Sequence, residues 1–439
     1  MKKFIAFLFF LYILLLPWQS IYLLREIFIA GEKWQYGTIG IHPATLVAIV
    51  LIVAIFTGRV FHKAVLPKID RPTLFIGTLF IGFSYLSSLW TQDQNIALYS
   101  TSLFFLGFLL YLLVPRYTNS FKAATILLLF GASLHSMIAL IQFLTQSIDA
   151  QTILNISKHF TESGATATIT DTTGRWLRSY GGMAHPNILG GFLTLSILLG
   201  LHAYVQTQKT HTLIRSTLLI GTSLSFAGLV ITFSRSAWIA LIIGFLTAAL
   251  FLWNKNQSLF RKIQMPLLAF MSIGLLFLLF LPHLFFTRTI ENTTQTHNSF
   301  SERAISIDQA KELTQNMPLI GVGRGNMTII SYENSSDPLK QIWQFQPVHN
   351  IFLLIFTELG VIGFLLFIAL VSIVMHTSLR TSQNHPTTHA FFTGICFALL
   401  TLAFFDHWLI TSHFGILFFW LLMTLYKNIH TVQTHRIQN

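Results

Sequence analysis

The chain has 439 residues, of which 53% are hydrophobic and only 10% charged, with a mean hydropathy of +0.64. That composition excludes an ordinary soluble domain. The formal net charge is +12, and the single cysteine, Cys396, excludes a disulfide within the chain.

A bilayer core of about 30 Å is crossed by about 20 mostly apolar residues, and about twelve such stretches follow one another almost end to end. They run over Phe4 to Leu24, Ala44 to Thr57, Thr73 to Trp90, Ile96 to Val114, Ala123 to Leu144 and Ile188 to Val205. The second half continues with Leu218 to Thr232, Ala237 to Trp253, Leu267 to Phe286, Ile351 to Met375, Ala390 to Asp406 and Phe414 to Tyr426. Lys2 and Lys3 ahead of the first stretch resemble a secretory signal, but no small-residue cleavage site follows, so it reads as an uncleaved anchor. The pattern predicts an all-α, polytopic integral membrane protein.

Basic residues are retained on the cytoplasmic side of a membrane. With both termini cytoplasmic, the inside segments carry Arg59, Lys63, Lys68, Arg71, Arg116, Lys122, Lys209, Arg215, Lys255, Arg261 and Lys262. Of the 15 Asp and Glu, all but Asp70 and Glu358 fall in outward segments. The positive charge is therefore a topology signal for a cytoplasmic (inner) membrane protein and not a nucleic-acid footprint.

Two outward segments are long, Thr145 to Asn187 and Thr287 to Asn350. The first ends in Arg178-Ser179-Tyr180-Gly181-Gly182 and His185-Pro186-Asn187, where Pro186 suits the first turn of a helix. Between the seventh and eighth stretches, Thr232-Phe233-Ser234-Arg235-Ser236 is so short a hairpin that Arg235 sits at the membrane surface, either as an interfacial anchor or as an anion clamp. The second long segment predicts a surface helix from Ser301, its candidate N-cap, to Asn316, stopped by Pro318. It continues as Gly321-Val322-Gly323-Arg324-Gly325-Asn326, a plain turn or a backbone cradle for phosphate, without the strand, helix and Lys of a nucleotide-binding loop.

His349-Asn350 opens the tenth stretch. At about 100° per residue, Gly360 falls about 20° from His349 and Gly363 about 40° to the other side, so one helix face carries all three. Glu358 lies about 180° away and is expected to pair with another helix or a water pocket. A histidine at a helix mouth is by itself an interfacial or capping residue as readily as a catalytic one.

His349-Asn350, the nine residues 351–359, and Gly360-Val361-Ile362-Gly363 resemble the histidine motif of the O-antigen ligase and polymerase superfamily, which includes O-linked protein oligosaccharyltransferases. Ser234-Arg235-Ser236-Ala237-Trp238 is similar to that family's short arginine hairpin. The run from Ser301 through Arg303 to Pro318 and Gly321-Val322-Gly323 is similar to its loop before the histidine, and Arg178 to Asn187 to the segment ahead of the core. The resemblance implies a membrane-embedded, GT-C-type glycosyltransferase fold with its core over 178–375, including the outward loop 287–348. N-terminal helices and the first long loop (1–177) precede it, and C-terminal helices with a short tail (376–439) follow.

The resemblance further implies transfer of a glycan from a polyprenyl-diphosphate carrier to an acceptor outside the membrane, with no nucleotide sugar, cofactor or required metal. The acceptor stays open among a lipid, a protein and a polysaccharide. The departing diphosphate needs fixed positive charge, which arginine supplies through bidentate contacts. Arg235 and Arg178 are the candidates, with Arg303, Arg324 and Asn350 as further substrate contacts. His349 is the candidate base for the acceptor hydroxyl, in an inverting displacement. Glu26 and Glu32 in the first outward loop are runner-up bases. A polymerase shares the donor and differs in acceptor. A transporter would place ionisable groups along a mid-bilayer path, whereas only Glu358 is deep here. Asp406, His407 and His413 suggest a relay or metal site, or simply an interfacial rim. Neither Ser234 nor Ser236 has the surroundings of a hydrolase nucleophile.

Overall fold

A computed structural model describes residues 1–29, 31–62, 70–116, 121–152, 155–163, 166–171, 174–289, 294–336, 341, 344–383 and 385–437. Lys63 and Lys68, two of the residues used to orient the chain, lie outside the described residues. Each apolar stretch of the sequence lies on a helix. Among the described residues nine helices are long and apolar enough to cross a membrane, and Pro43–Gly58 and His413–Lys427 are shorter apolar helices.

The first stretch is corrected at its end. Its helix is Lys2–Leu15, because Pro17 has no N–H with which to continue the helical ladder. The chain then turns into Tyr22–Arg25, an antiparallel partner of Ile39–Ile41. Three more short hairpins qualify the all-α expectation: Phe28–Ile29 with Glu32–Lys33, Ser147–Ile148 with His159–Phe160, and Thr168–Asp171 with Gly174–Leu177. All four lie between helices, where they satisfy backbone groups that no helix covers.

Pro186–Gln206 is the central helix. It is apolar all round and buried over nearly its whole length, packed by Phe121–Thr145, Thr212–Ile231, Arg235–Lys255 and Pro386–Phe405. Arg235–Lys255 and Pro386–Phe405 touch backbone to backbone, since a Cβ on Gly394 would stand 2.3 Å from the carbonyl oxygen of Gly244.

The segments that follow alternate helices meet at one end of the bundle. Arg25 is bonded there to Asp93, Trp90 to the carbonyl of Gly321, Asn187 to Asp406 and Asn350 to the carbonyl of Phe404. The surface helix is Thr294–Asn316, longer than predicted, so Ser301 is internal and not an N-cap. Nothing between Thr294 and Ser301 is a glycine or proline that would halt it.

The helix that begins at Ile351 runs to Ser382 but is broken at Gly360, where φ is 62° and ψ is −169°. This corrects the single-face argument, because the helical phase is lost before Gly363. A break within an apolar span strands amides and carbonyls that lipid cannot satisfy. The segment Pro318–Gly323 supplies their partners. Val322 N–H donates to Thr357 O at 3.1 Å and Gly323 N–H to Glu358 O at 2.7 Å. In return Val361 N–H donates to Pro318 O at 2.9 Å and Ile362 N–H to Leu319 O at 3.3 Å. The two backbones lie so close that a Cβ on Gly321 would stand 2.4 Å from the carbonyl carbon of Glu358, and one on Gly360 2.3 Å from that of Leu319. The glycine-rich loop is thus a splint for the broken helix, with its Val322 and Gly323 amides already used.

Candidate active site

Helix Thr212–Ile231 ends in three carbonyls that have no partner within the helix. Ser179 N–H caps Ile231 O at 3.3 Å, Arg178 Nε–H caps Thr232 O at 2.9 Å, and Arg288 Nε–H caps Phe233 O at 3.0 Å. Cations are favoured at this end of a helix. The turn is held by Phe233, fully buried at φ 48°, and Arg235 opens the next helix immediately after it. Arg178 is 6% exposed and has a second tie, from Nη2 to Asn187 Oδ1 at 2.7 Å.

Arg303, half-buried on Thr294–Asn316, completes the group. Burial first, then the like charge of Arg178, Arg235 and Arg303, pushes the Arg288 guanidinium down to about 8. Burial also pushes Arg178 down to about 10, with Arg235 and Arg303 adding to the fall. Four guanidinium groups in range of one another's charge form a concentrated cationic site, and a bound anion relieves their repulsion. Arg288 was not singled out from the sequence, although the argument used for Arg235, an arginine on the outward side of an apolar span, applies to it equally.

His349 precedes the broken helix, and Asn350 is its N-cap. Asn350 Oδ1 accepts from Leu353 N–H at 2.9 Å and Nδ2 donates to Phe404 O at 3.3 Å, so both ends of this amide serve the fold. His349 Nδ1 stands 3.7 Å from Asp406 Oδ1, an ion-pair distance too long for a hydrogen bond. The imidazole is 19% exposed against 7% for the carboxylate, so His349 faces the accessible side of the pair. Asp406 Oδ1 accepts from His407 N–H at 2.8 Å and Oδ2 from Asn187 Nδ2 at 3.2 Å. A polar path therefore runs from Arg178 by hydrogen bonds through Asn187 to Asp406, and from there by the 3.7 Å ion-pair contact to His349.

Burial alone would raise the Asp406 carboxyl, but His349, and then His407 and His185, hold it well below the usual carboxylate range. Burial pushes both His407 and His185 down to about 3, which keeps them neutral; the charge of His349 adds to the fall at His407 and that of Arg178 at His185. His185 is the N-cap of the central helix, its Nδ1 accepting from Asn187 N–H at 3.1 Å, which fixes the backbone at Asn187. Glu302, beside Arg303, is raised by burial while His349 and Arg303 draw it back down.

The predicted residues separate accordingly. Arg178, Arg235 and Arg303 come together. Arg324 does not join them: it is 2% exposed, with Nη1 on Glu358 Oε2 at 2.6 Å and Nη2 on Ile410 O at 2.7 Å. Its guanidinium ties the splinting loop to the helix, and the expected substrate contact is corrected to a structural one. Glu358 finds its partner in that loop and not on a neighbouring helix. Glu26 is paired with Lys33, and Glu32 is exposed on a hairpin. The first loop's contribution near His349 is Tyr36, whose ring meets His407 edge-on at 5.1 Å.

His413 leaves the predicted cluster and stacks on His42, ring centroids 3.8 Å apart. Among the described residues, the group with metal-ligand spacing is His349, Asp406 and His407, whose donor atoms lie within 4.8 Å of one another. Two imidazoles and one carboxylate suit a divalent transition ion. Arg288 and Tyr36 are the site residues that sequence reasoning missed, whereas Asp406 was noticed beside His407 and His413 and Asn187 at a helix start, neither with its partner.

The fold and site define an integral membrane protein with a strongly cationic, histidine-bearing site at one end of its helical bundle. Residues 220–368 match the family model described as O-antigen ligase, and over that stretch the chain is similar to that family. The matched stretch contains Arg235, Arg288, Arg303, His349 and both motif glycines, while Arg178, Asn187, Asp406 and His407 lie outside it. The match supports a membrane glycosyltransferase of the ligase or polymerase type, acting on a lipid-linked glycan and an acceptor. No curated protein matches the chain.

Proposed function

We propose that the protein transfers a glycan from a polyprenyl-diphosphate carrier to an acceptor hydroxyl at the outer face of the cytoplasmic membrane. The observation that carries this reading is the polar path from the arginine group through Asn187 and Asp406 to His349. It links an anion site to a candidate base in one end of the bundle. Arg178, Arg235, Arg288 and Arg303 hold the diphosphate by charge and by the planar fork of guanidinium. His349 takes the proton from the acceptor hydroxyl as its oxygen attacks the anomeric carbon. The bond from that carbon to the diphosphate oxygen breaks with its electron pair leaving on phosphate, so the configuration inverts. Asp406 stabilises the imidazolium that forms, as carboxylates do beside catalytic histidines.

In this reading the three short apolar helices, Lys2–Leu15, Pro43–Gly58 and His413–Lys427, join the nine long ones to make twelve crossings with both termini cytoplasmic. The placement of basic residues supports that orientation. The reaction needs no metal, because the charge on the leaving group is met by arginine. An apolar cavity lined by Leu400, Leu409, Phe419 and, from the first turn of the helix after the histidine, Ile351 and Phe352 supports a substrate carried on a hydrocarbon chain.

The test loads membranes with a polyprenyl-diphosphate glycan and an acceptor, and compares wild type with His349→Ala, Arg288→Ala and Arg235→Lys. His349→Ala is expected to lose transfer by two to four orders of magnitude, roughly the range of general-base effects, while still binding donor. Arg235→Lys keeps charge, loses the fork, and is expected to weaken donor binding. Near-normal transfer by a well-folded His349→Ala overturns the base assignment. Growth of the donor glycan into longer polymer, in place of its appearance on a new carrier, assigns the polymerase reaction.

A further inference from the structure

Asp406 divides the site. Its Oδ2 faces Asn187 and, through it, Arg178, whereas its Oδ1 faces His349 and the backbone of His407. On the Oδ1 side lies the first interhelical loop, clamped in place at several points. Arg25 makes two hydrogen bonds to Asp93, at 2.8 and 2.7 Å; Tyr99 Oη–H donates to Gly40 O at 2.8 Å; and Trp34, 2% exposed, forms a small core with Ile29, Ile96 and Ile329. Between these anchors the 3-10 turn Gln35–Gly37 presents Tyr36, edge-on to His407 at 5.1 Å and 73°, and His407 in turn lies 5.0 Å from the His349 ring. Nε2 of His407 is buried and has no hydrogen-bond partner among the described residues. A buried polar atom left unmet calls for an explanation.

The transfer reaction proposed above requires the acceptor to approach the anomeric carbon from the face opposite the diphosphate. If the arginines hold the diphosphate, that approach comes from the Tyr36 side. We propose that Tyr36 and His407 form the acceptor subsite, which binds the neutral sugar ring whose hydroxyl attacks; this rests on the transfer reading. The chemistry there differs from that of the arginine side. Two aromatic rings offer an apolar wall, the phenol offers a donor and acceptor, and the imidazole offers a nitrogen, with none of the guanidinium groups of the other side. Those features suit a polyol. A phosphorylated ligand would prefer the arginines.

The experiment uses the full-length protein in detergent with hexyl glycosides as probes, and a Ser/Thr peptide as the non-sugar alternative. Direct binding of a hexyl glycoside is measured first, without donor, on wild type, Tyr36→Phe, Tyr36→Ala and His349→Ala. The glycoside is expected to bind wild type, and His349→Ala about three- to tenfold more weakly, the effect of losing the one hydrogen bond between the base and the acceptor hydroxyl. Binding should weaken about three- to tenfold in Tyr36→Phe, the effect of one lost hydrogen bond, and further in Tyr36→Ala. In the transfer assay, acceptor KM is expected to rise by the same factors while donor KM stays within about twofold. The glycosides should compete with acceptor and not with donor.

A rise in donor KM, a fall in kcat with acceptor KM unchanged, or equal competition by the peptide overturns the proposal. Retained transfer by His349→Ala would sink the base assignment, yet leave the donor-free binding result to be judged by itself.

Discussion

Replacing Gly360 with alanine tests whether the broken helix and its splint hold the site together. The added Cβ would stand 2.3 Å from both the carbonyl carbon and oxygen of Leu319 and 2.4 Å from Ile320 N, all of them backbone atoms that cannot swing aside. The conformation, φ 62° and ψ −169°, is one that glycine alone adopts readily; holding another residue there costs on the order of 1–3 kcal/mol. Relief by moving Pro318–Gly323 away gives up hydrogen bonds worth about 1 kcal/mol each, among them Val361 to Pro318 and Ile362 to Leu319. The sum is roughly 3–6 kcal/mol, severe for a single substitution.

The control is Gly82→Ala in the helix Arg71–Leu86, where an added Cβ meets nothing within 4 Å. It is expected to gain roughly 0.5–1 kcal/mol from a stiffer unfolded chain and better helix propensity. Thermal denaturation of both variants in one detergent, scored by loss of the monodisperse peak, makes the comparison. Gly360→Ala should melt well below wild type and Gly82→Ala at or above it, and transfer by Gly360→Ala should fall with its folded fraction. If Gly360→Ala melts with wild type, the helix tolerates continuity through residue 360 and the splint is not what positions His349.

Two further outcomes follow from buried charge. Arg324→Met leaves Glu358 buried in a span without its counter-charge, a loss of about 3–5 kcal/mol. Adding Glu358→Leu should recover much of it, both read from denaturation midpoints; a variant that is stable but binds donor poorly would return Arg324 to the substrate. Acid should also loosen the site. His185 and His407 are held at about 3 in the folded protein against an ordinary 6.5, so the unfolded chain binds protons that the folded one refuses as pH falls from 6.5 towards 3. Stability is therefore lost on acidification, by up to about 1.4 kcal/mol per pH unit for each histidine. Asp406, held low, adds to the loss further down. Denaturation midpoints should drop between pH 7 and 4 and drop less in His407→Gln; a flat profile for wild type would mean that these imidazoles are not buried neutral.

The sequence made visible those features that a local pattern can carry, and it misassigned or missed those that depend on which helix ends meet. Apolar length located the long apolar helices, and Pro17 shows why the first ended early. His349 was identified by its spacing to Gly360 and Gly363, but for a reason that fails: phase arithmetic assumes an unbroken helix, and Gly360 matters because it breaks one. That break is intelligible only beside Pro318–Gly323, whose glycines read as a plain turn or a phosphate cradle while their neighbour Arg324 looked like a ligand. Close packing on the broken helix and the burial of Arg324 give both a structural part, and neither packing nor burial is local.

Arg235 was legible as an arginine in a hairpin too short to hide it. The hairpin is only half of the structure, however, because the terminal carbonyls of Thr212–Ile231 draw in Arg178 from one side and Arg288 from the other. Asp406 was seen as a letter in a rim, separated from Asn187 by 219 positions. What joins them is the packing of the central helix against its neighbours, which lays the N-terminus of one beside the C-terminus of another. An enzyme that handles a charged leaving group at the edge of lipid has its exposed polar groups at helix ends, so its site is assembled from several of them. A reading one segment at a time recovers the members of such a site more readily than their contacts.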